Sequence, residues 1–284
     1  MTVELGIVFF RIAAWVYVLS ALCYITFLIS KSAAIGKVGL ATLIAGLGVH
    51  TASLVVRILA TREPPFLNLY EYLLCMIWSG VVVYLVLETI SKTKSFGAFG
   101  VTLVGAAAVV TVYLAPLEAR PVPPALKSIW RTPHIASASL AYAAFAMAFC
   151  LAIMYLISAF AEASADRKSR SEGDPKSFWA TRLPSAAVLD RTIYRMIAFG
   201  FLMETFLILT GALWAQRSWA RFWGWDNKET WSLITWLVYA AYLHTRAIGW
   251  KGRRSAILAM IGFAVAMFTL FGVTYLLSGL HSYT

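Results

Sequence analysis

The chain has 284 residues, of which 61% are hydrophobic and 13% charged, against about 45–50% and about 25% in soluble domains. The apolar excess lies in long runs that no water-soluble fold could bury, so the bilayer must act as solvent and the backbone in those runs must be helical. A formal net charge of +11 would suggest nucleic acid in a soluble protein, but in a membrane chain it marks basic cytoplasmic loops.

The first apolar run starts near Ile7 and contains Arg11. It lacks a basic leader and a small-residue cleavage site, so it is read as a retained helix rather than a signal peptide. Eight spans are expected in chain order, at about 7–29, 38–59, 68–90, 97–115, 135–160, 193–213, 229–248 and 255–278,. The fold class is therefore an all-α polytopic membrane protein forming one transmembrane domain over 1–284.

Loop charge sets the expected direction. One set of loops carries fourteen Lys and Arg, among them Lys31, Lys92, Lys168, Arg182, Arg246 and Arg254. The other set carries eight: Arg57, Arg62, Arg120, Lys127, Arg131, Arg217, Arg221 and Lys228. The richer set is assigned to the cytoplasm, which puts both termini on the outer side. The outer cations are either solvated or bind an anionic group such as a carboxylate.

Cys23, Cys75 and Cys150 sit singly inside apolar runs and read as small buried hydrophobes,. A Pro-rich outer loop over 116–133 contains Pro121, Pro123 and Pro124 and should be extended,. A polar cytoplasmic linker is expected over 161–192,.

The segment 214–231, between spans six and seven, is expected to be an outer loop. It holds five of the chain's eleven tryptophans, more than an interfacial aromatic belt needs. Flat indoles such as Trp219, Trp223 and Trp225 can stack on a planar macrocycle, and Arg217 and Arg221 can pair with carboxylates at its rim. Asp226 has two readings: a ligand contact, or a helix cap completed by Glu229 three residues on.

There are four histidines. His134 opens span five and His281 follows span eight, so both flank the Trp-rich segment on the outer side. His50 and His244 lie inside spans two and seven, where an ionisable group is a functional candidate by default. Imidazole is a common axial ligand of haem iron, and two pairs at two depths would hold haem in two places. His50 and His244 differ in depth by roughly 10 Å, so one haem shared between them requires tilt, shifted ends or a broken helix.

The stretch Trp223-Gly224-Trp225-Asp226-Asn227-Lys228-Glu229-Thr230-Trp231, running on to His244-Thr245-Arg246, resembles the WWD signature of the CcsA/ResC cytochrome c biogenesis family. Gly279-Leu280-His281 and His134 with Ser139-Leu140-Ala141-Tyr142 resemble the two flanking histidine segments. His50-Thr51, Arg57 and Asn68-Leu69-Tyr70-Glu71 resemble the early segment. Asn227 departs from the pattern, where proline is more usual. The resemblance implies haem b carried outward and joined to apocytochrome c at its Cys-x-x-Cys-His motif. His134 and His281 would hold haem iron at the outer site, with Trp223, Trp225 and Asp226 shaping it. His244, with or without His50, would hold haem in transit. It further implies a CcsB/ResB-type membrane subunit as partner and a bacterial inner or thylakoid membrane as location. Two other classes remain: a haem exporter or carrier without lyase activity, and a redox or quinone-linked cytochrome with permanent haem.

Overall fold

The structure is a computed structural model that describes residues 2–66, 68–114, 127–168 and 178–277. Among these residues it is helical, with no strand. The elements are α1 (Val3–Ser30), α2 (Ala33–Thr61), α3 (Leu69–Ser91), α4 (Gly97–Leu114), α5 (Arg131–Lys168), α6 (Phe178–Arg182), α7 (Ala186–Trp219), α8 (Asn227–Ala247) and α9 (Arg253–Met267). A π-helical turn, Phe268–Gly272, joins α9 to α10 (Val273–Leu276).

Seven of these helical stretches are long and apolar enough to cross a membrane. The remaining long helix, α8, has 21 residues, a length of roughly 31 Å and so sufficient to span. It is more polar because its first turns carry Lys228, Glu229, Thr230 and Ser232. The eight expected spans all coincide with helices.

Their ends differ from expectation in two places. α5 and α7 run to 38 and 34 residues, well past the spans expected at 135–160 and 193–213. Hydropathy marks where a helix crosses hydrocarbon, whereas a helix continues into water at no comparable penalty. Trp214, Arg217 and Trp219 therefore lie on the last turns of α7, and the turn proper is only 220–226. The expected linker 161–192 likewise contains the end of α5, all of α6 and the start of α7, while 169–177 lies outside the described residues. Of the Pro-rich loop, 116–126 lies outside them, and 131–133 opens α5.

Three successive spans stop in the same way. α1, α2 and α3 end at Lys31, Arg62 and Lys92, each in the left-handed region. The N–H of each closes back on the helix, and its cation sits at the negative end of the helix dipole. α3 starts where the Asn68 side chain accepts from the Glu71 N–H at 2.9 Å, an N-cap.

α5 is the central helix and packs on α3, α7 and α9; α1 packs on α2 and α4, and α8 on α7 and α9. Glycines permit the close approaches. A Cβ on Gly46 would meet the Tyr17 ring at 2.8 Å, and one on Gly200 the Phe145 ring at 2.5 Å, the small-residue packing expected between membrane helices. Arg57 and Glu71 form an ion pair with both side chains enclosed, and the Arg57 guanidinium lies over the Tyr70 ring.

The loop groups assigned by charge to a common side also meet in space. At one end Lys31 donates to the Arg182 carbonyl at 2.6 Å, Lys94 pairs with Glu88 at 2.6 Å, and Arg246 pairs with Asp190 at 2.8 Å. At the other end Glu63 pairs with Arg131 at 2.9 Å and Lys127 at 3.4 Å.

Candidate functional site

His134 stands in the first turn of α5, where the chain enters the bundle beside the end of α7. Its Nδ1 lies 2.9 Å from the Leu207 carbonyl oxygen. A carbonyl can only accept, so Nδ1 carries the proton and the basic lone pair is on Nε2. This is how metal-binding imidazoles are usually oriented. Trp214, two turns further along α7 than Leu207, meets the imidazole edge-on at 5.5 Å between ring centroids. Gly211 makes the room: a Cβ there would come within 2.9 Å of His134 Cε1.

The Trp-rich turn is held from α8. α7 ends at Ala220 in the left-handed region, and Trp225 adopts the same conformation at φ 56°, a state that costs an L-residue about 1–2 kcal/mol. Glu229 secures it by accepting from the Gly224 N–H at 2.7 Å and the Asp226 N–H at 3.2 Å. Asp226 in turn accepts from the Lys228 N–H at 3.0 Å and from the Glu229 backbone N–H, which with the Glu229 bond to its own N–H makes a capping box. The two readings of Asp226 are thus resolved in part, since it caps α8. Asn227 is the first residue of that helix, and the cap before it is intact.

Trp223 and Trp225 meet edge-to-face at 5.8 Å. Trp225 is 70% exposed, a large apolar surface on a braced backbone. Trp214 Nε1 and Trp223 Nε1 are buried donors without a partner among the described residues. Arg217 and Arg221 are exposed, and Arg221 lies across Gly224, where a Cβ would fall 2.6 Å from its guanidinium carbon. Trp219 is half-buried.

Below the turn, Trp231 of α8 packs on Phe268 at 4.4 Å. Phe268 opens the π turn, a deviation often found at functional sites. Thr269 in that turn donates to the Trp231 carbonyl at 3.1 Å. The last span thus comes to the Trp-rich turn before the chain continues toward His281, which lies outside the described residues.

The other two histidines are not brought together. His50 of α2 is buried against α1, with Nδ1 3.1 Å from the Tyr17 hydroxyl, its ring 4.9 Å from that of Phe10, and Nε2 without a partner among the described residues. His244 is exposed in the last turn of α8, at the end where Arg246 meets Asp190. Sequence reasoning missed Leu207 and Gly211, which orient His134. The available signal was a glycine in span six one turn before Trp214.

A family model described as cytochrome C assembly protein matches residues 66–281. A cytochrome c biogenesis protein CcsA of Pyropia yezoensis is 36% identical over 266 residues, covering 82% of each chain. Its namesake in Parasynechococcus marenigrum (strain WH8102) is 36% identical over 287 residues, covering 95% of this chain and 93% of its own. The solved cytochrome c haem lyase CcmF superposes with a TM-score of 0.63 at 15% identity over 95% of this chain. The present chain spans 47% of that larger one, and the likeness is one of fold. The match over 66–281 takes in His134, the Trp-rich turn and His281, and the chain belongs to the cytochrome c assembly protein family.

Proposed function

We propose that the chain carries haem b to the extracytoplasmic face and, as a cytochrome c haem lyase component, presents it for covalent attachment to apocytochrome c. The orientation of His134 carries this reading. An imidazole with Nδ1–H fixed on a backbone carbonyl offers Nε2 to iron in one direction. It does so beside Trp214, and α7, which carries Trp214, leads into the turn that holds the Trp223–Trp225 pair; indole faces suit a porphyrin. The unpartnered indole N–H groups of Trp214 and Trp223 suit acceptor oxygens at its edge, and Arg217 and Arg221 suit its carboxylates. His281 is assigned as the opposing ligand, by resemblance.

In the attachment reaction each thiol of the Cys-x-x-Cys-His motif adds S–H across one haem vinyl group. One C–S and one C–H bond form for each S–H and each C=C π bond lost. The chain need supply no general base. Holding vinyls against thiols supplies much of the acceleration, and the substrate's own histidine replaces one axial imidazole as product leaves. A CcsB/ResB-type subunit is assigned as partner. The basic loop set is assigned to the cytoplasm of a bacterial inner membrane or the stroma side of a thylakoid membrane, with both termini and the Trp-rich turn opposite. His244, near the cytoplasmic end of α8, is assigned to haem in transit. His50 has a separate place in the outer half of α2, so one haem bridging the two is not proposed.

The test is co-expression of the chain, its partner subunit and an apocytochrome. Covalent cytochrome c that disappears with His134→Ala or His281→Ala supports the reading. Haem loading without thioether product would mean a carrier or exporter instead, and protein that stays haem-free when haem is supplied would end the proposal.

A further inference from the structure

The buried stripe of α8 carries no aliphatic side chain. Its buried residues are Thr235, Tyr239 and Tyr242, spaced i, i+4, i+7 and therefore on one face. In hydrocarbon that stripe would ordinarily be apolar, yet here every member bears a hydroxyl. The Tyr239 and Tyr242 hydroxyls are buried without a partner among the described residues. The Tyr239 ring is clamped in a stack with Phe145, 3.7 Å between centroids, so its hydroxyl points in a fixed direction.

At the level of this stripe α8 meets α7, where Trp236 Nε1 donates to the Thr205 hydroxyl at 2.9 Å, and the neighbouring Glu204 has 0% of its surface exposed. Neither carboxyl oxygen has a hydrogen-bond partner among the described residues. Tyr72 of α3, Tyr142 of α5 and Tyr239 of α8 lie within electrostatic reach of it, and no cation pairs with it among the described ion pairs. A carboxyl in that setting costs stability and packs no better than an apolar residue, so the fold itself gains nothing from it.

The stripe also has two defined ends. Towards the Trp-rich turn, Thr235 meets Thr269 at 2.8 Å, and Thr269 reaches the Trp231 carbonyl. Towards the opposite end, Tyr242 lies one turn before Arg246, which pairs with Asp190 at 2.8 Å. Hydroxyl side chains thus line the buried middle of α8 over 235–242, roughly 10 Å of its axis. Successive members are one turn apart, roughly 5 Å of rise, too far for a direct hydrogen bond, so a relay between them requires bridging water.

We propose that Glu204 is a proton-exchanging carboxyl at the centre of a hydroxyl file along α8, taking a proton from hydronium and returning it to water along Thr235, Tyr239 and Tyr242. Chains of intramembrane carboxyl and hydroxyl groups carry protons in other membrane proteins. The exchange is a proton transfer only, water being both source and sink, and requires no redox partner.

The experiment is infrared spectroscopy of the full-length protein in lipid, transferred between H2O and D2O. It needs no haem, so its failure is separate from failure of the haem assignment. The expected result is a carboxylic-acid C=O band that Glu204→Gln removes, that shifts promptly in D2O, and that Tyr239→Phe displaces in frequency or slows in exchange. Tyr239→Phe keeps the ring stack, so it reports even where Glu204→Gln does not fold. A band that fails to exchange in the intact protein would describe a sealed, static acid and overturn the proposal. So would a band whose frequency and exchange are both untouched by Tyr239→Phe.

Discussion

His134 and Leu207 are 73 residues apart in the chain and joined by one 2.9 Å contact between the imidazole Nδ1 and a backbone carbonyl. Leu207 offers that carbonyl from the backbone of α7, so the ring's direction depends on how α5 and α7 pack.

It follows that Gly211→Ala, which places a methyl against the ring, should disturb haem binding while leaving the helices intact. Loss of an orienting contact typically costs roughly 10–100-fold in metal affinity. Titration of haem into the purified variant, read by its absorbance spectrum, is expected to show a weakening of that order. Unchanged affinity would remove His134 from the ligand set.

The cap at α8 separates two roles of Asp226. Asp226→Ala should destabilise the turn by about 1 kcal/mol, and Asp226→Ser should restore it, because Ser caps nearly as well. Tryptophan fluorescence during denaturation reads the turn directly. If Ser restores the turn but not covalent cytochrome c formation, Asp226 also touches the substrate.

The enclosed Arg57–Glu71 pair predicts a non-additive pattern. Arg57→Leu alone leaves a buried carboxylate without its partner and should cost about 3–5 kcal/mol, whereas the double change with Glu71→Leu should recover most of it. Thermal unfolding of the three proteins in detergent gives the comparison. Equal losses in single and double variants would mean that the pair's shape, not its charge, is what matters.

Glu63 supplies a pH dependence. The hydrogen bond from Arg131, with Lys127 nearby, holds its carboxyl below the usual carboxylate range. A lowered folded-state value contributes stability above the ordinary carboxylate value and loses it as pH falls through the folded one. The junction between 62–66 and 127–131 should therefore loosen on the acid side in the wild type. Hydrogen exchange across that junction should lose this acid-side change in Glu63→Gln.

The membrane class, the eight crossings and the Trp-rich segment were legible because they rest on long apolar runs and a local cluster of one residue type. The cap formed by Asp226 and Glu229 was legible for the same reason: its two residues stand three apart in the chain. The extent of α5 and α7 was not, because hydropathy stops at the lipid boundary and the helices do not. Nor were the Leu207 carbonyl, the space at Gly211 and the Glu204 junction, each of which exists only once α7 has packed on its neighbours.

The π turn at Phe268–Gly272 has a geometric consequence. One residue more than an ordinary turn rotates everything downstream by about 100° around the helix axis. Deleting a single residue there would leave the span nearly as long and as greasy as before, yet would swing the outgoing polypeptide to another quadrant. The aim of α10 is set by that one surplus residue, like the indexing notch on a shaft.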